Sequence, residues 1–374
     1  MAGSKKIRVG VLGGGFSTSF QFQEHPNSEV VAVCDLRPER RKSLQDTFKC
    51  DTVYERMEEL VADKNVDAVA VFSGAPDHVP HAVAAMKAGK HVMSAVPAGI
   101  SLEQCEELRD TVEKTGLTYM MAETSYYRQP MISARKFLAE GRFGEIFYTE
   151  AEYHHAGIDP LFFDPAGNRT WRYVIPPMFY PTHCTSFLVG LTGERLTDVM
   201  CIGWGDDSKY LKENMYNNPF WCETALFKTD KGHAFRVAVY WEGAHKGCER
   251  AQWYGSKMSF FTPTANGQGA VIVRRAEETE TDDAGFTRTL PKFEEYQVPN
   301  YFETDMLPES MRKASGHGGS HSFLTHEFID SLVNGRKPAI DVYEAIAYTV
   351  PGIIAHQSAL KGGEQLKVPC FDRK

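Results

Sequence analysis

The run Gly13-Gly14-Gly15-Phe16-Ser17-Thr18 follows directly on the apolar stretch Ile7–Leu12, and Asp35 closes the next apolar stretch, Val30–Cys34. These residue types at this spacing suit a dinucleotide. Gly13 permits a tight turn out of a strand, and Gly15 removes the side chain that would hold the backbone away from a pyrophosphate seated on the following helix N-terminus. Asp35 lies twenty residues past Gly15 (35 − 15 = 20), where a carboxylate accepts hydrogen bonds from the adenosine ribose hydroxyls. It also repels a 2′-phosphate, so NAD is the expected cofactor rather than NADP. Thr18 stands where the third glycine of the fingerprint governs helix–strand packing, which weakens the match. Phe16, Ser17 and Thr18 complete the loop as cofactor-binding candidates. Arg40, with Arg37 and Arg41, either softens the cofactor preference or is a solvated helix start.

Such a loop acts only if alternating strands and helices position it. Ile7–Leu12, Val30–Cys34, Ala68–Phe72, His91–Ser94 and Thr118–Ala122 are short, apolar and branched, the pattern of buried parallel strands. The helical patterns between them are punctuated. Pro80 suits a first helical position, Gly89 a C-terminal cap, Ser101 and Gln104 a capping box, and Gly116 the end of that helix. This alternation predicts a doubly wound parallel sheet, a Rossmann domain over residues 1–124. After Glu123 the pattern changes. Ile146–Tyr153, Leu196–Trp204, Glu223–Phe227 and Ala234–Trp241 read as strands of a large, open, mainly antiparallel sheet, covered by helices on one face. The α+β domain expected over 125–374 supplies the substrate side and the oligomer contact. Within it, Glu277–Asp283 reads as a solvated loop. Phe323–Asn334 and Val342–Lys361 read as helices, the second ended by Gly362 and Gly363, bent near Pro351 and expected to pack back on the first domain.

Composition narrows the classes. A chain of 374 residues with 42% hydrophobic and 24% charged residues is long enough for two cores and shows no disordered bias. Its net charge of −8 leaves no basic stripe to neutralise phosphates, so nucleic acid is not an expected partner. No apolar run reaches membrane-spanning length, and Met1–Lys6 has no apolar signal region behind it. The eight cysteines are scattered without a C-x-x-C pair, which fits free thiols in a reducing compartment. The cytoplasm is therefore the expected location, an exported form trimmed of its signal reading the same. His154 and His155 point oppositely along a strand and make no metal pair, and no metal is expected. Gly316-His-Gly-Gly-Ser-His321 is a flexible candidate for lining a pocket, with no assigned role. No pair of carboxylates of the conventional glycosidase kind is recognisable.

Beyond the glycine loop, the first domain resembles the Gfo/Idh/MocA family of glucose–fructose oxidoreductases and inositol dehydrogenases. The residues that carry the resemblance are Asp67-Ala-Val-Ala-Val-Phe-Ser73, Ala75-Pro-Asp-His78 and Ala88-Gly-Lys-His-Val92. The likeness runs on through Arg128-Gln-Pro130 and Gly141–Glu145, covers essentially the whole chain and is clearest up to residue 190. It implies a nicotinamide over the C-terminal ends of the strands, near Ser73, Pro76, His78 and Pro97, with the second domain's sheet closing the pocket. Two departures stand out. Family dehydrogenases carry Glu-Lys-Pro after the fifth strand, where the lysine helps deprotonate the hydroxyl being oxidised; here the tripeptide is Ala95-Val96-Pro97. Their Asp-x-Gly-x-His is replaced by Tyr180-Pro-Thr-His183. Both departures resemble the NAD-dependent glycoside hydrolases of family 109, α-N-acetylgalactosaminidases. Those enzymes combine Val-Pro and Tyr-Pro-Thr-His with a Glu closing the sixth strand and a Tyr in the first strand of the second domain. The matching residues here are Glu123, Tyr153, Tyr180 and His183.

That resemblance implies a redox-neutral glycosidase with a tightly bound, recycled NAD. A sugar is oxidised transiently at C3, the ketone acidifies the C2 proton, the C1 substituent leaves by elimination, water adds, and the hydride returns. His183 suits the C3 hydroxyl proton, since an imidazole is matched to neutral pH. Tyr153 suits the C2 proton if a positive neighbour or the cofactor's charge lowers its pKa. Tyr180 hydrogen-bonds or relays protons beside His183, Glu123 orients the nicotinamide or assists the leaving group, and Arg172 grips a polar or anionic substrate group. Taken singly, Tyr153 also reads as an ordinary strand residue, Tyr180 as a loop aromatic and His183 as a helix cap. A plain sugar dehydrogenase or ketoreductase in which His183 replaces the lost lysine is the second reading, and a noncatalytic NAD-binding sensor or assembly protein the third. A carbohydrate substrate and a homo-oligomer built through the partly apolar open sheet complete the expectations.

Overall fold

The computed structural model describes residues 6–373 apart from 206, 208, 245–247 and 265, so most of the leader reading at Met1–Lys6 lies outside the described residues. Six strands form the first sheet: β1 (Ile7–Leu12), β2 (Ser28–Cys34), β3 (Val53–Tyr54), β4 (Ala68–Val71), β5 (His91–Ser94) and β6 (Tyr119–Met121). Their order is β3-β2-β1-β4-β5-β6, all parallel, which is a doubly wound sheet. Every residue of β4 is buried, as expected of a strand covered on both faces. The helices α1 (Pro38–Phe48), α2 (Met57–Ala62), α3 (His78–Lys87) and α4 (Leu102–Thr115) make the crossovers after β2. Pro80 sits in the third position of α3 rather than the first; Ser101 caps α4 by accepting from Gln104 N at 3.2 Å, and Gly116 ends it at φ +65.

One crossover differs from expectation. The glycine loop leads into a single 3₁₀ turn, Phe16–Ser19, and not into an α-helix. Only fifteen residues, Gly13 to Asn27, separate β1 from β2 (27 − 13 + 1 = 15), near the shortest span that joins parallel neighbours. Phe20 and Phe22 in this span are wholly buried. The packing role predicted for Thr18 therefore has no helix to serve.

The second sheet has nine strands among the described residues. They are β7 (Ile146–His154), β8 (Leu196–Trp204), β9 (Cys222–Thr229), β10 (Ala234–Tyr240), β11 (Cys248–Gly255), β12 (Met258–Phe261), β13 (Ala270–Thr281), β14 (Thr287–Tyr296) and β15 (Leu366–Lys367). The order is β14-β13-β12-β11-β7-β10-β9-β8-β15, antiparallel throughout except that β7 and β10 run parallel. The acidic run expected as a loop is largely strand. β13 extends to Thr281 and pairs with β14 through Glu280↔Arg288 and Thr281↔Thr287, so cross-strand polar pairs hold a hairpin whose composition reads as solvated.

Helices α5 (Gln129–Ala139), α6 (Thr182–Thr192), α7 (Ser320–Asn334) and α8 (Val342–Leu360) complete the chain. α8 packs on β8 and also on α4 and β6 of the first sheet, where Ala98 N donates to Thr349 Oγ1 at 3.2 Å. α7 packs against β1, and Ser322 Oγ donates to Gln21 Oε1 at 2.7 Å, so a late helix covers the crossover that has none of its own. None of the described helices is long and apolar enough to cross a membrane. The eight cysteines are free thiols, most of them buried.

Candidate active site

The loops at the carboxyl ends of β1, β4, β5 and β6 meet in one cradle. Gly13 has φ +96, and a Cβ there would stand 2.4 Å from Phe72 O, so glycine is required twice over. Gly15 shares that φ but has no atom within 4 Å of a built Cβ, leaving backbone open to a phosphate. Asp35, buried at the end of β2, accepts from Gly14 N at 2.6 Å and Arg37 N at 2.9 Å, which fixes its carboxylate beside the loop. Arg40 packs its Cβ near Gly14 and is otherwise exposed. Ser17 and Thr18 turn their hydroxyls back onto the loop, donating to Gly13 O at 2.6 Å and Gly15 O at 2.7 Å. Phe16 packs edge-on against Phe20 and Phe72. On the far side, His78 sets its ring nitrogens 2.8 Å from Pro97 O and 3.1 Å from Ser73 O, tying two loops together; burial lowers its pKa. Ser73 Oγ lies 2.9 Å from His81 Nδ1, and Pro76 O accepts from Gln104 Nε2 at 3.1 Å.

Beyond this cradle the four residues matched by resemblance come together. Glu123, immediately past β6, is fully buried; its Oε1 accepts from Ser125 N and from His183 Nδ1, each at 2.8 Å. A carboxylate only accepts, so His183 carries its proton on Nδ1 and, when neutral, has Nε2 bare. Glu123 Oε2 is buried without a hydrogen-bond partner among the described residues, an atom in need of a donor. Tyr153, inward on β7, sets its ring 4.6 Å from that of His183. Tyr180 stacks on His183 at 6.0 Å while its hydroxyl accepts from Arg172 Nη1 at 2.6 Å. Arg172 is thus held by Tyr180 and by the Trp171 ring 4.4 Å away, and Trp171 in turn lies against Gly74.

The electrostatics separate these groups. Burial alone would lower the pKa of His183, but Glu123 and Glu249 outweigh it and raise it. Burial pushes the Tyr153 hydroxyl well above its usual value, Glu249 and Tyr180 add to this, and Arg172 opposes them. The positive neighbour expected to activate Tyr153 is therefore present but outweighed. Burial likewise raises Tyr180 despite Arg172.

Glu249 is the group the sequence reading missed. It sits on β11 directly opposite Tyr153, accepts from Ser125 Oγ at 2.7 Å and Arg128 Nε at 3.0 Å, and pairs with Arg128 Nη2 at 2.8 Å. Burial would raise its carboxyl, but His183 and Arg128 hold it down at about 2. His155, on the same face as Tyr153 with rings 5.8 Å apart, and Trp241 extend the wall. On the opposite, open face of the sheet, Glu152, His154 and Cys248 lie close enough to share an ion. Glu152, however, already binds Arg236 and Arg250 at 2.8 and 2.5 Å, and those two positive charges oppose a cation.

Comparison with known proteins follows the two halves of this architecture. Residues 7–123 match the model of the GFO_IDH_MocA oxidoreductase family, NAD-binding Rossmann fold, and residues 277–374 match that of the glycosyl hydrolase 109 C-terminal domain. A glycosyl hydrolase family 109 protein of Solibacter usitatus is 26% identical, over 98% of this chain and 88% of its own length. An alpha-N-acetylgalactosaminidase of Tannerella forsythia is also 26% identical, over 98% and 86%. Among solved structures, levoglucosan dehydrogenase in complex with NADH and L-sorbose shares the fold at a TM-score of 0.78 and 15% identity, covering 98% of this chain and 100% of that one. The scyllo-inositol dehydrogenase of Lactobacillus casei with bound NAD(H) and scyllo-inositol does so at 0.70 and 17%, covering 97% and 99%. With a match to the NAD-binding Rossmann domain of the Gfo/Idh/MocA oxidoreductase family at one end and to the family 109 C-terminal domain at the other, the chain resembles the family 109 glycoside hydrolases along its whole length.

Proposed function

We propose that the protein is an NAD-dependent glycoside hydrolase that oxidises a sugar transiently at C3, eliminates across C1 and C2, adds water and restores the C3 hydroxyl. The observation that carries this reading is the buried Glu123–His183 pair with Tyr153 and Tyr180 packed around it, in a chain whose usual lysine position is Val96. When bound, NAD supplies a hydride acceptor that returns what it takes, so a tightly held cofactor suffices. Its docking falls to Gly13, Gly15 and Asp35 at the adenosine end and to Ser73, Pro76, His78 and Pro97 around the nicotinamide, with Glu123 Oε2 available to its carboxamide. His183 Nε2 takes the C3 hydroxyl proton, and Glu123 holds the ring in the correct tautomer and stabilises its charged form. Tyr153 takes the C2 proton as the tyrosinate, its own proton having left under the positive charge of Arg172 and of the bound cofactor. Tyr180, its oxygen engaged by Arg172, keeps its own O–H to donate to the sugar, and Arg172 steadies it. The name of the Tannerella relative points to an α-linked N-acetylgalactosamine as the first probe.

The high pKa of Tyr153 favours one other reading, a plain sugar dehydrogenase with His183 as base. Two variants separate them in a single turnover with para-nitrophenyl α-N-acetylgalactosaminide. His183→Ala should abolish NADH formation. Tyr153→Phe should still form NADH but release nitrophenol about a hundredfold more slowly or worse, the scale of a positioned proton-transfer group. Wild-type NADH that accumulates in proportion to substrate, without aglycone release, indicates the dehydrogenase. Near wild-type cleavage by both variants contradicts the hydrolase roles.

A further inference from the structure

The segment Gly316–His321 takes no part in the chemistry above, yet it ends in an ordered arrangement. His317 Nδ1 lies 2.8 Å from His321 Nε2, and His321 Nδ1 lies 2.8 Å from Ser19 Oγ. Three side chains thus form one hydrogen-bonded file, reaching from the second half of the chain to the 3₁₀ turn behind the glycine loop. The backbone is bent to build it. His317 itself has φ +52, followed by Gly318 at +66 and Gly319 at +93, and a Cβ on Gly316 would stand 2.3 Å from the His321 ring. A histidine in the left-handed region is uncommon and persists only where its surroundings over-determine it. Phe20 stacks on His321 at 4.2 Å, and Phe16 packs edge-on to both rings.

The two ends of the file differ. At the inner end, His317 feels the charges of Glu249, His183, Arg128 and Glu123. With Nδ1 turned to His321, its Nε2 is the nitrogen left to take a proton. At the outer end, Ser19 is partly exposed and donates to Phe16 O at 2.9 Å. Burial lowers both imidazoles, His317 to about 4 and His321, with the help of His317, to about 3. Each is therefore neutral near pH 7, with one donor and one acceptor nitrogen, as a transfer chain requires. His183 is itself buried, with 5% of its surface exposed.

We propose that His317, His321 and Ser19 form a proton relay that empties His183 to solvent beside the glycine loop. The proposal rests on the hydroxyl oxidation inferred above. When the substrate C–H bond gives its hydride to NAD, the O–H bond breaks and its proton goes to His183 Nε2. His183 passes a proton to His317 Nε2, His317 gives its Nδ1 proton to His321 Nε2, and His321 gives its Nδ1 proton to Ser19 Oγ. Ser19 turns its own proton away from Phe16 O and releases it to water. One proton enters and one leaves, both imidazoles end neutral in the opposite tautomer, and the return of the hydride runs the same file backwards.

Two measurements on the whole protein test this. Histidine-selective NMR reads the tautomer of His317 through its ring nitrogens without any substrate. Ser19→Ala removes the terminal acceptor and should shift the His317 tautomer two links away; unmoved His317 resonances would overturn the file. Stopped-flow with NAD and para-nitrophenyl α-N-acetylgalactosaminide then follows NADH and, with an indicator dye, released protons. His321→Asn and the milder Ser19→Ala should slow both signals about tenfold or more, with NAD affinity unchanged and the rate restored by added imidazole. Wild-type rates in both variants overturn the relay alone. A wild-type protein that forms neither NADH nor nitrophenol overturns the hydroxyl-oxidation reading, and the relay's role with it.

Discussion

In the proposed mechanism His183 is a base only with Nε2 bare, while Glu123 at 2.8 Å and Glu249 both favour its charged form and outweigh the burial that opposes it. The acid limb of kcat/KM should therefore lie above the ordinary imidazole value of about 6.5, with activity rising with pH through it. Glu123→Gln removes the nearer charge and should move that limb to lower pH while slowing turnover about tenfold or more; a pH–rate profile in the same place would detach His183 from the limb. The sign for stability is the opposite. A folded pKa raised above the unfolded one contributes stability that is present below the unfolded value and lost as pH rises through the folded value. Glu249, held at about 2, contributes stability present above the usual carboxylate range and lost as pH falls towards that value. At this scale, the clustering of Tyr180 and His183 was legible through a tetrapeptide, and that of Glu123 and Tyr153 with them through the resemblance of the sixth and seventh strands. Glu249 was not, because in Cys248–Gly255 it puts a carboxylate at an inward position while Arg250 and Gln252 face outward, hiding the alternation of a strand.

Five of the six strands of the first sheet could be read nearly to the residue, since they are short and apolar, and β3, two half-buried residues long, could not. The connection after the glycine loop could not. Its fingerprint implies a helix, but the span is short and two buried phenylalanines fill the place, with α7 supplying the cover from residues about three hundred positions away (His321 to Ser19, 321 − 19 = 302). Without a helix N-terminus there, phosphate binding falls to the loop backbone, and the two glycines should answer differently to a methyl group. Gly13→Ala meets Phe72 O at 2.4 Å as well as the φ penalty, and should lose at least about 2 kcal/mol of stability along with NAD binding. Gly15→Ala adds its methyl to open space and should lose NAD affinity with the smaller loss of stability. Denaturant unfolding and NAD titration of both variants check this; equal affinities for wild type and Gly15→Ala would move the phosphate elsewhere.

Over the whole molecule, the helices cover one face of the nine-stranded sheet and leave the other to solvent. That face carries a polar centre, with Arg236 bonded to Glu150 and Glu152 and Arg250 to Glu152. Beside it lie Met200, Ile202, Trp204 and Leu226, each exposed by 42–56%, side chains that a lone subunit gains nothing by presenting together. A second copy docked there should make the protein sediment as an oligomer at micromolar concentration, and Ile202→Asp with Leu226→Asp should return it to monomer with its fold unchanged; a monomeric wild type contradicts this.

All of this serves one chemical claim, that a glycosidic bond is broken by oxidation and elimination with a cofactor that ends as it began. The direct test is cleavage of para-nitrophenyl α-N-acetylgalactosaminide in D2O, with the released sugar examined by NMR and mass spectrometry and NADH followed through the same turnover. The account predicts one deuterium at C2 of the product and no net NADH after many turnovers. Cleavage that leaves C2 fully protonated, or NADH formed mole for mole with oxidised sugar and no released nitrophenol, would contradict it.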